Sequence, residues 1–409
     1  MNALVRRNFL ILAAGGLAWA CLLVWPARIA FGEPAAAAAT PVKREPLKPK
    51  PVAPRSAAAV DAAIHRGIQF LLHDQNKNGS WGSAEHTKGL NIYAPVPGAH
   101  HAFRAAVTSL CIMALIESGD KSAEVEQSLD RGEKWLFENL PHLRRATPDA
   151  LYNVWGHAYS IQALVRMHAR KPDDVQRKAK IVDLIKSQLG FLERYEAVNG
   201  GWGYYDFSAH TQRPAALNSS FITSTGLIAM YEAKQIGIVP SEKVVKRAFD
   251  SVKRQQKPDF SYLYGEDLRW SPAAVINLPG GSLGRSQACN LAMHLWGDPR
   301  VTDEVMGTWL DRLWARNLWL DMGRKRPVPH SSHFAVAGYF YFYGHYYAAL
   351  VVEQLPSDQR DSHRDQLAAR LLKLQEKDGT WWDYPLYNYH QQYGTAFAIM
   401  SLVHCRGGK

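Results

Sequence analysis

Two aromatic-rich stretches hold the residue types best suited to chemistry. "GWGYYDF" groups Tyr204, Tyr205 and Asp206, and "TWWDYPLYNYHQQY" groups Trp382, Asp383, Tyr384, Tyr387, Tyr389 and His390. Asp206 and Asp383 follow corresponding turns. They are candidates for the paired carboxylates that general acid–base chemistry such as glycoside cleavage needs, with His390 as a third catalytic candidate. Carboxylates in turns are also ordinary cap and turn residues. Binding candidates are Tyr205, Trp382 and Tyr387 in these stretches, His333 and Tyr343 in "PHSSHFAVAGYFYFYGHYY", Arg285 in "GGSLGRSQ" and His157 in "GHAYSIQALVRMH". Aromatic faces at a cavity mouth stabilise a cation or stack on a sugar, and buried in a core they pack with the polar end wet. No Cys-x-x-Cys or His-x-x-x-His spacing suggests a metal site, and no cofactor is expected.

The elements that must position these residues come in two kinds, which alternate from residue 58 onward. "AAIHRGIQFLLHDQ", "QSLDRGEKWLFENL", "IVDLIKSQLGFLERYE", "VVKRAFDSVKRQQ", "VMGTWLDRLWARN" and "HRDQLAARLLKLQEKDG" carry apolar residues at three- and four-residue spacing with charges opposite, so each is a helix with one wet face. Between them lie "AAVTSLCIMALIESG", "GHAYSIQALVRMH", "SFITSTGLIAMYEA", "GRSQACNLAMHLWG", "FYGHYYAALVVE" and "GTAFAIMSLVH", which are apolar nearly all round and so are buried helices. Six such pairs make a repeat of roughly 50–65 residues. Six wet helices around six buried ones fit a closed double ring, an all-α (α/α)6 toroid, better than an open solenoid. Thr108, His157, Thr223, Ser286, Tyr343 and Thr395 form a polar column early in the buried helices, suited to capping or packing and less to ligand contact.

A small unit recurs where wet helices end. Gln75 and Trp81, Glu196 and Trp202, Gln256 and Tyr262, and Gln375 and Trp381 each stand six positions apart, with Gly79, Gly200 and Gly379 supplying turns in three of the four. A Gln or Glu satisfies loose backbone groups at a helix end, and the flat aromatic covers the loop. "QNKNGSWG", "EAVNGGWG" and "QEKDGTWW" resemble the Gln–Trp repeats of squalene–hopene and related triterpene cyclases, whose fold protein prenyltransferase β-subunits share. The resemblance spans residues 58–409. It implies the toroid with a cavity at one end of the ring and gives the repeats a structural role.

The resemblance does not extend to catalytic motifs. The Asp-x-Asp-Asp acid of those cyclases is absent, and "PDDVQR" is the nearest cluster. Position 177 is Arg where an Asp-Asp-x-x-Asp magnesium motif would need Asp. At the place of the prenyltransferase His ligand stands Gly394, with His390 one turn earlier. The chain also has room for one helical domain where a triterpene cyclase has two.

The N-terminus adds location. "MNALVRR" and the uncharged run Phe9–Trp25 read as a signal peptide or signal anchor (residues 1–32), with a twin-arginine-like "RRNFL". A Pro/Ala/Lys-rich linker (33–57) follows, and the toroid occupies 58–409. This places the domain outside the cytoplasm, periplasmic or extracytoplasmic, with possible membrane association through its first residues. The net charge of +11 is concentrated at that end, +6 of it within residues 1–57, and the mild remainder excludes a nucleic-acid surface. Cys111, Cys289 and Cys405 sit in apolar runs as buried core residues. The expected function is binding of a hydrophobic small molecule or a protein partner at the toroid mouth. The alternative is a divergent enzyme, terpene-cyclase-like or a polysaccharide lyase or hydrolase.

Overall fold

A computed structural model describes residues 47–89, 94, 97–206 and 217–406. The export or anchor segment, most of the linker before residue 47 and the loop between Asp206 and Leu217 lie outside the described residues. Six outer helices, α1 (Ala57–Asp74), α3 (Ala123–Asn139), α5 (Val175–Arg194), α7 (Glu242–Gln255), α9 (Asp303–Ala315) and α12 (Ser357–Leu374), alternate with six inner ones. The inner helices are α2 (Gly98–Ser118), α4 (Asn153–Arg170), α6 (Ser220–Gln235), α8 (Leu283–Leu295), α11 (Phe340–Gln354) and α13 (His390–His404). The short α10 (Asn317–Asp321) lies between α9 and α11. Among the described residues there is no β-strand, only isolated bridges.

The inner helices contact one another in the order α2, α4, α6, α8, α11, α13 and back to α2, so the ring closes. Their composition explains their position. All but three residues of α13 are buried, whereas α7 buries one stripe, Val244, Ala248, Ser251, Val252 and Gln255. α2 is the one described helix long and apolar enough to cross a membrane, and it is a core helix buried among its neighbours. Where α8 crosses α11, Gly284 faces Gly344 so closely that a Cβ on Gly344 would overlap the opposing backbone. Cys111, Cys289 and Cys405 are buried and unpaired, as core residues should be.

The Gln–Trp unit holds this ring together at three of its turns. The indole Nε1–H of Trp81 donates to Leu71 O at 2.7 Å, that of Trp202 to Leu192 O at 2.9 Å and that of Trp381 to Leu371 O at 2.8 Å. Each acceptor is one of the last four carbonyls of an outer helix, which have no partner within the helix itself. The backbone N–H of the same tryptophans donates to Thr108, Thr223 and Thr395 Oγ1, at 3.0, 3.0 and 3.1 Å, on the inner helix of the same repeat. Gln75 Nε2 reaches Ser128 O on α3, and Gln375 Nε2 reaches Ala63 O on α1, both at 2.9 Å, while Glu196 accepts from Arg247 of α7 at 2.8 Å. One unit therefore ties an outer helix to its own inner helix and to the next outer helix. The α12-to-α1 tie joins the end of the chain to its beginning.

Gly79, Gly200 and Gly379 take φ of 91°, 91° and 87°, a region open to glycine but costly for other residues. In the fourth repeat Phe260 takes this place with φ 60°, and Tyr262 OH replaces the indole, accepting from Gln256 and donating to Asn290. The threonines of the polar column thus serve the staple.

Residues 47–56 are extended ahead of α1 and are seated on the outer helices. Lys48 pairs with Asp311 at 2.6 Å, Lys50 O accepts from Gln366, and Arg55 pairs with Asp365 at 2.7 Å. The sequence reading of a tether through residue 57 misses this docking, which depends on partners about 300 residues away.

Two substitutions test the staple. Thr223→Val leaves the Trp202 N–H without an acceptor and should cost about 1–3 kcal/mol, with Thr223→Ser restoring most of it. Gly200→Ala should cost at least about 1 kcal/mol, because its Cβ would meet the Arg247 carbonyl. Urea unfolding of the three variants checks both.

Candidate functional site

The N-terminal turns of the inner helices gather at one end of the ring and enclose a cavity of about 150 Å³. Its walls are Phe103, Ala106, Val107 and Leu110 of α2, Tyr152, Trp155 and Tyr159 at α4, Phe221 of α6, Phe340 and Tyr343 of α11, and Tyr393 and Phe397 of α13. Tyr204, Tyr339, Tyr384 and Leu386 reach it from loops. Among the described residues no charged side chain lines it. At the opposite end Arg166 of α4 pairs with Glu117 of α2 and with Glu232 of α6, 2.5 Å for the latter, locking three inner helices where their C-termini meet.

Most hydroxyls around the cavity are already partnered. Tyr152 bonds Tyr205, Tyr204 bonds Tyr264, and Tyr264 lies 3.2 Å from Tyr339. Tyr339 OH is 3.2 Å from His330 Nε2. His330 Nδ1 lies 2.7 Å from Ala335 O, which only accepts, so Nδ1 carries the proton and Tyr339 donates to Nε2. Tyr343 donates to Phe221 O at 3.0 Å, and Tyr393 to Asp383 Oδ1 at 2.6 Å. The Tyr159 ring stacks on Trp155 at 5.7 Å. The Tyr384 hydroxyl, fully buried, has no partner among the described residues.

The candidate acids sit just behind this wall, each with its own partners. Asp206 is buried with Arg145 at 3.3 Å, and its backbone N–H donates to Asp149 O. Asp383 is buried and accepts from Tyr393 and, at Oδ2, from the backbone N–H of Phe342 at 3.0 Å. Asp383 therefore caps the first turn of α11 from another loop, where a carboxylate suits the exposed N–H groups. Burial nevertheless pushes its pKa up to about 7, against which the Tyr393 and Phe342 bonds act. Nothing in these contacts joins Asp206 to Asp383 as a carboxylate pair.

His390 lies outside the cavity wall. Its Nδ1 is 2.6 Å from Tyr387 O, which fixes the proton there, and its buried Nε2 has no partner. Burial pulls its pKa down to about 4, so it is neutral near pH 7. It packs edge-on to Trp382, which carries Lys88 and Lys325 over its faces at 4.8 and 4.3 Å. Tyr387 has φ 45° and meets His100 edge-on at 4.4 Å.

Of the binding candidates, Tyr343 lines the cavity and Tyr205 supports its wall through Tyr152. His157 turns to the outer ring, bonded to Gln188 of α5 at 2.6 Å and stacked on Phe191, with burial pulling its pKa down to about 4. His333 is exposed. Arg285 is buried and donates to the carbonyls of Tyr262, Gly281 and Ile276, and it has no carboxylate partner among the described residues. Burial brings its pKa down to about 10. It ties loop to loop, with its guanidinium 5.8 Å over the Tyr264 ring. Among the described residues no three His, Cys, Asp or Glu side chains come together as a metal site. Tyr204, Tyr339 and Tyr384 reach the cavity from loops that the sequence marks as aromatic-rich, without a local signal that separates them from their neighbours. Phe103, Trp155 and Phe397 were missed because helical periodicity does not distinguish the ring's inside from its outer contacts.

No family model matches the sequence, and no curated protein matches it. Solved structures match in fold. A cellobiose 2-epimerase from Bacillus thermoamylovorans is 9% identical with TM-score 0.53, covering 85% of this chain and 99% of that one. An α-1,6-mannanase variant from a Salegentibacter species, in complex with α-1,6-mannotetrose, is 11% identical with TM-score 0.50, covering 85% and 98%. The type II terpene cyclase MstE from Scytonema is 14% identical with TM-score 0.49, covering 86% and 99%. At these identities the likeness is one of fold, the α/α toroid.

Asp383 yields a pH prediction. An unfolded carboxyl releases its proton near 3.8, while the folded one keeps it to about 7. This group's stabilising contribution is therefore full below pH 3.8 and is lost as pH rises through 7. The stability difference between wild type and Asp383→Asn should shift against wild type by on the order of 4 kcal/mol between pH 4 and 8. Denaturant titrations at a series of pH values measure it; a flat difference refutes the assignment.

Proposed function

We propose that this chain binds a small, largely apolar molecule in the cavity at the N-terminal end of its inner ring, in the exported setting its first residues suggest. The observation that carries the reading is the wall itself: aromatic and aliphatic side chains from five of the six inner helices, with no charge among them. Apolar cavities of this size take up apolar guests. The size sets a scale. A cavity of about 150 Å³ accommodates a single ring or one to two isoprene units, far less than a triterpene. The Gln–Trp units support kinship with the squalene–hopene repeat, and the missing acid motif and small cavity separate this chain from cyclisation of long polyprenes.

A second reading, catalysis on the bound molecule, draws on one observation: Tyr393 both lines the cavity and bonds Asp383, a carboxyl that holds its proton to about 7. A polysaccharide hydrolase draws no comparable support, since Asp206 and Asp383 have separate partners and the cavity is apolar.

Ala106→Leu tests the binding reading by filling the wall from α2. The variant should fold, keep or raise its Tm, and bind toluene at least tenfold more weakly than wild type by ligand-observed NMR. Equal binding by both would remove the cavity as the site. Gas chromatography of the recovered ligand would separate binding from conversion.

A further inference from the structure

A second, open pocket of about 520 Å³ lies between the first turns of α2 and the last turns of α3, and it shares no lining residue with the aromatic cavity. Arg104 lines it half-buried, and its Nε is buried without an acceptor. Its polar neighbour is the Tyr389 hydroxyl, which already donates to His100 O at 3.3 Å. A guanidinium drawn partly out of water needs an anionic or carbonyl acceptor, and no carboxylate among the described residues meets Arg104. The undescribed residues 90–93, 95–96 and 207–216 contain no Asp or Glu either.

The surroundings add positive charge and donors. Burial lowers the pKa of His100 and His101, and the charges that act on them are all cationic: Arg104 and His86 on the first, Arg104, His142 and Arg144 on the second. His101 packs edge-on to Trp135 at 6.3 Å in the pocket wall. Glu85 is exposed and Glu138 faces the groove on the other side of α3, so neither acid lines the pocket. Pro97 and Gly98 bring the start of α2 to it. Pro97 caps with no side-chain bond, and the first turn holds no acid, so the first N–H groups of this long helix are left for an outside acceptor. The Asn78 carbonyl is taken by Ser80 N and Oγ, at 3.1 and 2.8 Å, which leaves its amide N–H groups as donors.

From this pocket and its unpaired arginine, we propose that the protein binds the phosphate group of a small phosphate ester here, with the Arg104 guanidinium forked onto the phosphate oxygens beside the start of α2.

Three terminal oxygens match three donor sources: the guanidinium, the helix N–H groups and the Asn78 amide. Arginine and a helix N-terminus both suit phosphate in geometry and charge. A carboxylate has only two oxygens to share among them. The pocket is larger than the ion alone requires, and Ala84, Pro97 and Trp135 give its remaining wall apolar surface for the organic part of an ester. The site is independent of whatever occupies the aromatic cavity.

The test titrates full-length protein with phenyl phosphate, inorganic phosphate and benzoate at constant ionic strength, followed by ligand-observed NMR. Phenyl phosphate should bind wild type saturably and more tightly than the other two. Arg104→Gln should weaken it about tenfold or more, while Lys134→Gln, which removes the same charge from the far side of α3, should leave it unchanged. No saturable binding to wild type overturns the proposal. So does equal weakening by both variants, which would reduce the effect to net charge. Benzoate binding more tightly overturns the choice of phosphate, and inorganic phosphate binding as tightly overturns the ester. Should Arg104→Gln lower the Tm, Arg104→Lys decides, since it keeps the charge and loses the fork: a few-fold weakening is expected, and unchanged affinity overturns the assignment of Arg104. Toluene affinity, unchanged in the Arg104 variants, reports on the aromatic cavity alone, so failure of either site shows separately.

Discussion

Everything in this ring depends on how the outer helices end. An α-helix leaves its last carbonyls without partners, and six outer helices ending at the mouth side multiply that problem. The indole N–H of Trp81, Trp202 and Trp381 answers one such carbonyl in three of the repeats. The rest of the local structure follows from placing that indole. The left-handed glycine turns the chain back, and the threonine of the inner helix receives the backbone N–H that the turn leaves over. Gln75 and Gln375 use the same turn to reach a carbonyl of the next outer helix. Satisfying a helix terminus and joining two repeats are thus one set of bonds. A ring built this way has no open edge, because the bond from Gln375 to α1 is equivalent to the bond from Gln75 to α3.

Closure creates the cavity. The Arg166 ion pairs tie α2, α4 and α6 together at their C-terminal ends, and at the other end loops reach between the helices and leave space at the ring's centre. The space left over is filled from the wall by large flat side chains. Aromatic rings cover area with few rotatable bonds, and their hydroxyls then need partners in an apolar setting. The tyrosine pairs and the His330 link meet that need around most of the rim. The Tyr384 hydroxyl is buried and has no partner among the described residues.

The alternation of wet and dry helices, the six repeats and the staple were legible in the sequence because each is a local periodic signal: charge on one face, apolar residues all round, Gln and Trp six apart. The site was legible only as a set of loops. Asp383 and Asp206 follow matching turns, yet one caps α11 from a distance and the other pairs with Arg145, and nothing local distinguishes them. His157 shares a column with Thr108 and Thr223, yet its repeat has no Gln–Trp unit whose N–H it could accept, and it turns to Gln188 instead. Which tyrosine hydroxyls lack a partner, as those of Tyr346 and Tyr384 do among the described residues, depends on every neighbour around them, and no window of sequence contains that information.

The buried charges near the mouth sharpen the same point. Arg285 spends its guanidinium on three backbone carbonyls that belong to the loops before α8, and Asp383 spends its carboxyl on α11 and Tyr393. A buried ionisable group is costly unless hydrogen-bonded, so each fixes the geometry of the loop that satisfies it. Arg285 sits against the Tyr264 ring, whose hydroxyl bonds Tyr204 and Tyr339, and Asp383 immediately precedes Tyr384. The charges are therefore one step behind the cavity and hold its tyrosines in place. The residues of the wall present the cavity with aromatic and aliphatic surface, and its polar groups are tyrosine hydroxyls and the Trp155 indole.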